Sequence, residues 1–314
     1  MENTNKEYSI ERLDAGKLPD LEALHTLVYK TPPAKDHYPH KYNTSYTGVE
    51  YVGYIAYNTD RIPLAYYGVI PCLIRYQDKT LLSAQSGDTM TNPFYRYKGL
   101  FVELSTITFE LCKASGIRLV FGFPNQNSYH GAVHKLGWKM TDTMERFSIP
   151  VKTLPVESLF NRFGWAKAGY RKYAKWVLNK YTLPHHGLSN QFLAEGYGGI
   201  YRDDLYLQYR TYSPTRVLAI GHALVWIRIR GGLGIGDFQV SELHFEEAMQ
   251  ALYKVARLLG LSQISFLVSP GTPIHALFSS KYNSEPSFPV LFQDFGSGIP
   301  LDKIKFSFSD IDIF

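Results

Sequence analysis

Three stretches between residues 50 and 88, "YVGYIAYN", "IPLAYYGVIPCLIRYQ" and "KTLLSAQSGD", are dense in β-branched and aromatic residues. Polar breaks at 58–60 and 77–79 separate them, so the region predicts strands joined by short turns. The period then changes. In "GLFVELSTITFELCKASG" Leu100, Leu104, Ile107 and Leu111 recur on one helical face, and Gly116 supplies the C-terminal stop. "IRLVFGFP" (117–124) reads as a buried strand and "NSYHGAVHKLGW" as a short helix stopped at Gly137.

The second half repeats this order. "HALVWIRIR" alternates, with Val225, Ile227 and Ile229 on one face and Trp226, Arg228 and Arg230 on the other. "GGLG" is a turn and "IGDFQVSE" the returning strand. "HFEEAMQALYKVARLLG" carries Phe245, Ala248, Met249, Leu252, Val255, Ala256 and Leu259 at helical spacing, with Gly260 as its stop. "SQISFLVS" is the next strand and "TPIHALFSS" a short helix. The chain is therefore α/β, an α+β mixed sheet, and reads as a tandem duplication of one module. The expected domains are 1–150, a connector at 151–185, and 186–314. Residues 152–181 hold seven Lys or Arg and one acidic residue, Glu157, and Leu159, Phe163, Ala166, Tyr170, Tyr173 and Val177 recur at helical intervals. This is a basic amphipathic connector, whose polar face either meets solvent or lies on an anionic membrane.

Composition narrows the classes. The chain has 314 residues, 45% of them hydrophobic and 19% charged, which suits a globular protein with a sizeable core. A formal charge of +5 suits an anionic ligand and is too small to argue for DNA. Cys72 and Cys112 each sit in apolar runs and read as buried free thiols of a reducing compartment. The start lacks a signal-peptide pattern and no run is apolar enough to span a bilayer, so the expectation is cytoplasmic.

The stretch "NPFYRYKGLF" places Arg96, Lys98 and Gly99 where a helix is about to begin. Free amides and the positive end of a helix dipole attract anions, and glycine lets a phosphate approach the backbone. The alternative is an ordinary strand-to-helix loop. No dinucleotide fingerprint, phosphate-binding lysine loop or serine elbow occurs elsewhere. His130 and His134 are at i, i+4 without a third ligand, so no metal is expected.

The segment "SGDTMTNPFYRYKGLFVEL…GIRLVFGFPNQNS…HKLGW" resembles the acetyl-coenzyme A binding core of the GNAT acetyltransferases. Arg96-x-x-Gly99 matches the start of that family's Gln/Arg-x-x-Gly-x-Gly/Ala pyrophosphate loop. The strand from Ile117 and the Asn125…Trp138 ending follow in the family's order. The resemblance implies that Arg96, Tyr97, Lys98, Gly99, Leu100, Phe101, Asn125 and Ser128 bind acetyl-coenzyme A or another acyl-coenzyme A. It also implies that splayed fourth and fifth strands, about 81–87 and 117–123, hold it while an acceptor amine attacks the thioester. Phe101 departs from the loop's last Gly/Ala, and Val133 stands where many members have a tyrosine acid. Asp88 is the candidate base, or else the cap of a "GDT" turn, and Tyr129 and His134 are candidate acids. Gly87 marks a candidate bulge.

The stretches "GDTMTNPFYRYKGLF" and "FGFPNQNS" and the ending "FSFSDIDIF" are similar to tandem GNAT-type proteins of bacterial surface-polysaccharide clusters, implying an amino-sugar acceptor. Glu242, Glu246 and Glu247 crowd the equivalent helix start in the second half, which is expected not to bind the cofactor. Two alternatives stand beside this reading: a Fem-type transferase using aminoacyl-tRNA, and a non-catalytic binding or scaffold pair.

Overall fold

The structure, a computed structural model, describes residues 7–157, 160 and 164–314, and only the backbone of 164–167. Leu159 and Phe163 of the basic helix lie outside the described residues. Compactness divides the chain at 141/142 rather than at 150, into Met1–Thr141 with Pro289–Leu301, and Asp142–Phe288 with Asp302–Phe314.

The first unit begins with β1 (Tyr8–Arg12), α1 (Leu18–Tyr29) and α2 (His37–Lys41). The three strand-like stretches form β2 (Val52–Asn58), β3 (Pro63–Tyr76) and β4 (Lys79–Thr91), paired antiparallel in that order. Next come α3 (Leu100–Ala114), β5 (Leu119–Gly122) and α4 (Gln126–His130), which continues as one π turn over Gly131–Lys135. β5 runs parallel to β4, and residues 291–294 pair with it antiparallel on its other edge. A strand from the end of the sequence thus enters this sheet, which local periodicity cannot disclose.

Tyr66 and Tyr67 are consecutive on β3 and so face opposite sides of the sheet. Tyr67 meets Phe101 and Phe109 of α3, edge to face, at 5.9 and 5.8 Å. Tyr66 meets Tyr42, at 6.0 Å, just beyond α2. The buried face of α3 is Leu100, Leu104, Ser105, Thr108, Phe109 and Cys112. The predicted Ile107 and Leu111 are only half-buried. The stripe is rotated because small Ser105 and Thr108 let the helix approach β3, where the Thr108 hydroxyl reaches the Tyr67 carbonyl at 3.5 Å. Gly116 follows the helix at φ +81°, as its position predicts.

The second unit contains β6 (Lys139–Pro150) from Asp142 onward, a two-residue β7 (Gly199–Ile200), β8 (Thr215–Ile220), β9 (Ala223–Ile229), β10 (Leu233–Gln239) and β11 (Gln263–Val268). β8, β9 and β10 are successively antiparallel, β11 is parallel to β10, and β6 is antiparallel to β11. The helix Phe245–Leu258 buries every apolar position assigned to it from the sequence. Phe278, on the helix Pro273–Ser279, is the hub of an aromatic cluster with Phe147, Phe238, Phe245 and Phe266.

One expectation changes here. The helix Gly164–Asn179 buries Tyr170, Ala174, Val177 and Leu178 in this core, and the Tyr170 hydroxyl donates to the Leu259 carbonyl at 2.9 Å. Its apolar side is committed to the second unit, so it does not stand apart as a connector. The face of β9 that carries Trp226 is covered by other segments of the same unit. Trp226 is fully buried, with the Phe314 ring 5.6 Å away and Gly187 so close that a Cβ there would come within 2.7 Å of the indole.

Candidate active site

β4 and β5 pair over only three residues each, ending at Gln85 and Phe121, while β4 continues to Thr91. The strands therefore fork. Just past the fork, Tyr66 pairs with Met90 and Gly68 with Gly87, so Asp88 and Thr89 together oppose Tyr67. That is a bulge, immediately after Gly87, and it holds Asp88 at φ +52°, an uncommon conformation for a residue with a side chain. Asp88 is thus a bulge residue inside a strand, not the cap of a turn.

The bulge turns the Asp88 carboxylate toward α2. Lys41 Nζ lies 2.7 Å from it and the Tyr42 hydroxyl donates to it at 3.0 Å. Lys41 is almost wholly buried, its side chain 3% exposed, whereas that of Asp88 is 15% exposed. Burial by itself would raise the carboxyl pKa, but Lys41, with His37 and Tyr42, outweighs it and holds Asp88 below the usual carboxylate range. Burial, and then the Asp88 charge, push the hydroxyls of Tyr38 and Tyr42 far above the ordinary tyrosine value, so both remain donors. His25 Nδ1 shares a 2.7 Å hydrogen bond with Tyr38, and burial lowers its pKa, keeping the ring neutral. Sequence reading missed Lys41, Tyr42, Tyr38 and His25. The only local signal was the run "HYPHKY", in which basic and aromatic residues interleave.

The loop that follows β4 carries the other predicted residues. Asn92 accepts a hydrogen bond from the Phe94 N–H at 3.1 Å and opens a short turn over Pro93–Tyr95. Arg96, Tyr97, Lys98 and Gly99 are all exposed. Tyr97 and Gly99 have φ of +64° and +81°, and Gly99 is the N-cap of α3. No atom lies within 4 Å of where a Cβ on Gly99 would sit, so the approach to the first amides of α3 is clear. Glu103, the acidic residue of the first helical turn, accepts from the Tyr8 hydroxyl at 2.5 Å. Lys98 Nζ stands 4.7 Å above the Tyr95 ring. Among the described residues neither Arg96 nor Lys98 has a carboxylate partner. An open glycine, free amides and uncompensated cations fit a pyrophosphate.

Phe101 does not crowd this loop. Its ring packs on Tyr67 and on the π turn, where a Cβ at Gly131 would come within 2.7 Å of it. Leu100 is buried beneath it. Asn125 and Ser128 are brought together, but mainly with each other. Asn125 caps α4 by accepting from the N–H groups of Asn127 and Ser128 at 2.9 and 3.2 Å, a contact worth about 1 kcal/mol. The Tyr129 hydroxyl donates to Met140 Sδ at 3.4 Å, a weak acceptor. His134 is exposed, with its ring 4.7 Å from that of His130. Among the described residues no group of three or more His, Cys, Asp or Glu could hold a metal. No helix of the described residues is long and apolar enough to cross a membrane.

Residues 9–141 match the family model of the acetyltransferase (GNAT) domain. No curated protein matches the chain significantly. Among solved structures, the chain is similar to a GCN5-related N-acetyltransferase from Kribbella flavida, with 12% identity, 92% of this chain and 72% of that one covered, and a TM-score of 0.58. A conserved protein of unknown function from Enterococcus faecalis V583 gives 14%, 93%, 74% and 0.59. A GCN5-related N-acetyltransferase from Anabaena variabilis gives 12%, 92%, 73% and 0.55. At such identities these likenesses speak for the fold. GNAT domains take acetyl-coenzyme A as co-substrate, and the fork with its open loop lies within the matched segment. The match covers less than half of the chain, and it supports an acyltransferase whose residues 9–141 are similar to the GNAT acetyltransferase domain.

Proposed function

We propose that the chain transfers an acyl group from acetyl-coenzyme A to a primary amine, by direct attack on the thioester at the β4/β5 fork. The observation that carries this reading is the exposed loop 96–99, open at Gly99, at the end of a forked parallel pair. The cofactor supplies the activated acyl group. Amides of α3 and the cations Arg96 and Lys98 bind its diphosphate, and Tyr97 and the backbone at Leu100 and Phe101 complete the loop. Asp88, ionised at neutral pH, attracts the acceptor ammonium and passes its proton on to solvent before the free amine attacks, while Lys41 and Tyr42 orient the carboxylate. Tyr129, whose hydroxyl has only a thioether partner among the described residues, is the acid for the leaving thiolate, with His134 next in order.

The acceptor is proposed to be an amino sugar of a surface polysaccharide, on the likeness of 87–101 to proteins of that setting. The second unit is proposed to be a degenerate GNAT-like copy. Its antiparallel strands, parallel pair and intervening helix support this, as do structural likenesses spanning 92% of the chain. Acetyl-coenzyme A should raise the melting temperature of the full chain, since a ligand of the folded state stabilises it. Arg96→Glu should abolish that shift and raise KM about tenfold or more with little change in kcat. A shift that survives the substitution would refute the loop assignment. A mass-based screen of amino sugars then tests the acceptor.

Residues 152–181 are proposed to give peripheral contact with anionic lipid. Arg171, Lys172 and Lys175 share the outer face of the helix with Trp176, which is 62% exposed. Vesicles containing phosphatidylserine should cosediment the protein at low salt, and Lys172→Glu with Lys175→Glu should release it. Equal binding to neutral vesicles would count against this.

A further inference from the structure

One face of the second unit's sheet holds a depression of about 160 Å3 that the reaction above does not use. Arg228 on β9 pairs with Gly234 on β10, which pairs with Ser265 on β11. Arg146 on β6 pairs with Leu267, two residues beyond Ser265, and so projects on the same face. Gly234 leaves a trough between Arg228 and Ser265, floored by Phe308, whose ring a Cβ at 234 would approach to 3.2 Å. Arg230 and Gln263 close one end, at the turn through Gly231 and Gly232.

We propose that this depression binds the phosphoryl group of a small phosphate ester, held by Arg146, Arg228 and Arg230. Three guanidinium groups line it with no acidic residue among its walls. Among the described residues Arg146 and Arg230 have no carboxylate partner. The neighbouring carboxylate, Glu157, is buried and accepts from the Gly231 N–H at 3.0 Å. Arg228 is held in place by the rings of Phe308 and Phe314, 5.0 and 5.6 Å away, and by the Ile313 carbonyl. Burial, and after it the charges of Arg230 and Arg210, push its pKa down to about 10. Such an arrangement is relieved by an anion, and three cations match a phosphoryl dianion better than a single carboxylate. The volume is below the roughly 300–1,000 Å3 of pockets for drug-sized molecules, so it suits a phosphoryl group with the rest of the ester left outside.

Titration calorimetry of the full chain at fixed ionic strength tests this with inorganic phosphate against acetate. Phosphate should bind saturably and at least about tenfold more tightly than acetate. Arg146→Gln and Arg230→Gln, both at exposed positions, should each weaken it about tenfold, and the double variant should lose it. Lys254→Gln, at an exposed position on the helix Phe245–Leu258 of the same unit, should change nothing. Arg96→Glu should leave phosphate binding intact whatever it does to acetyl-coenzyme A, so failure here and failure of the cofactor reading are separable. Equal affinity for acetate, binding unchanged in the double variant, or binding lost in Arg96→Glu instead would overturn the proposal.

Discussion

The two units place a Gly-Asp pair at the same point of their sheets and finish it differently. In each, a parallel pair of strands holds together for three residues, ending at Gln85/Phe121 in one and Ile235/Phe266 in the other. In each, β4 or β10 then breaks register, at Asp88 and at Gly236. Asp88 faces Lys41 and tyrosine hydroxyls and keeps part of its surface accessible. Asp237 instead meets Arg202, which also binds Asp310 at 2.7 Å and Ser307 at 3.1 Å, and both members of each ion pair are fully buried. Phe314 lies over Gly236 so closely that a Cβ there would come within 2.2 Å of its ring. The first fork leaves Asp88 partly accessible beside an exposed loop. The other is filled by the chain's own side chains, and Glu242 and Glu246 already occupy its helix start. The same strand geometry thus serves as a site or as a packed joint, according to what the surrounding segments bring to it.

Removing the arginine should have the largest effect. Arg202→Met strands Asp237 and Asp310 as buried charges and should cost about 3–5 kcal/mol, read by denaturant unfolding. A loss below about 1 kcal/mol would mean that the joint is held by packing alone and that the contrast with the first fork is overstated.

In the open fork, Asp88→Asn should lower kcat about 100-fold or more while leaving the thermal shift by acetyl-coenzyme A in place. Unchanged turnover would make the Lys41 pair a packing device like its counterpart. The same substitution has a pH signature. Because the folded pKa of Asp88 is depressed, its stabilisation is complete above the unfolded value of about 3.9 and is lost as pH falls through the lower folded value. Acid unfolding of Asp88→Asn should lack that component.

The smallest effect lies beside the sealed fork. Burial, reinforced by Asp237, raises Glu195 to about 7. Between about pH 4.3 and 7 the native chain then retains a proton that the unfolded chain has released, so stability declines as pH rises through that window. Glu195→Gln should flatten the decline only slightly, because much of the side chain is in water. A steeper slope in the variant would reverse the assignment.

Much of the framework was legible in local pattern. Gly116, Gly137 and Gly260 stop their helices at positive φ, and the long helix of the second half buries each residue its spacing assigned. Arg96 and Gly99 could be placed ahead of a helix because strand, loop and helix signals are contiguous there. The rotation of α3 was not legible, since it depends on small Ser105 and Thr108 meeting β3. Nor was the cover over Trp226, which comes from residues far along the chain.

By itself, then, the sequence determined the order of strands and helices, their stops and the cationic loop, because hydrophobic period, caps and turn residues act over a few positions. Only the tertiary structure decided that Lys41 and Tyr42 would orient Asp88, that residues 291–294 would complete the first sheet, and that Arg202 and Phe314 would close the second fork. Each of those contacts joins segments tens to hundreds of residues apart. What selects them is the burial of charge and ring against a specific partner, a condition that exists only once the chain has folded.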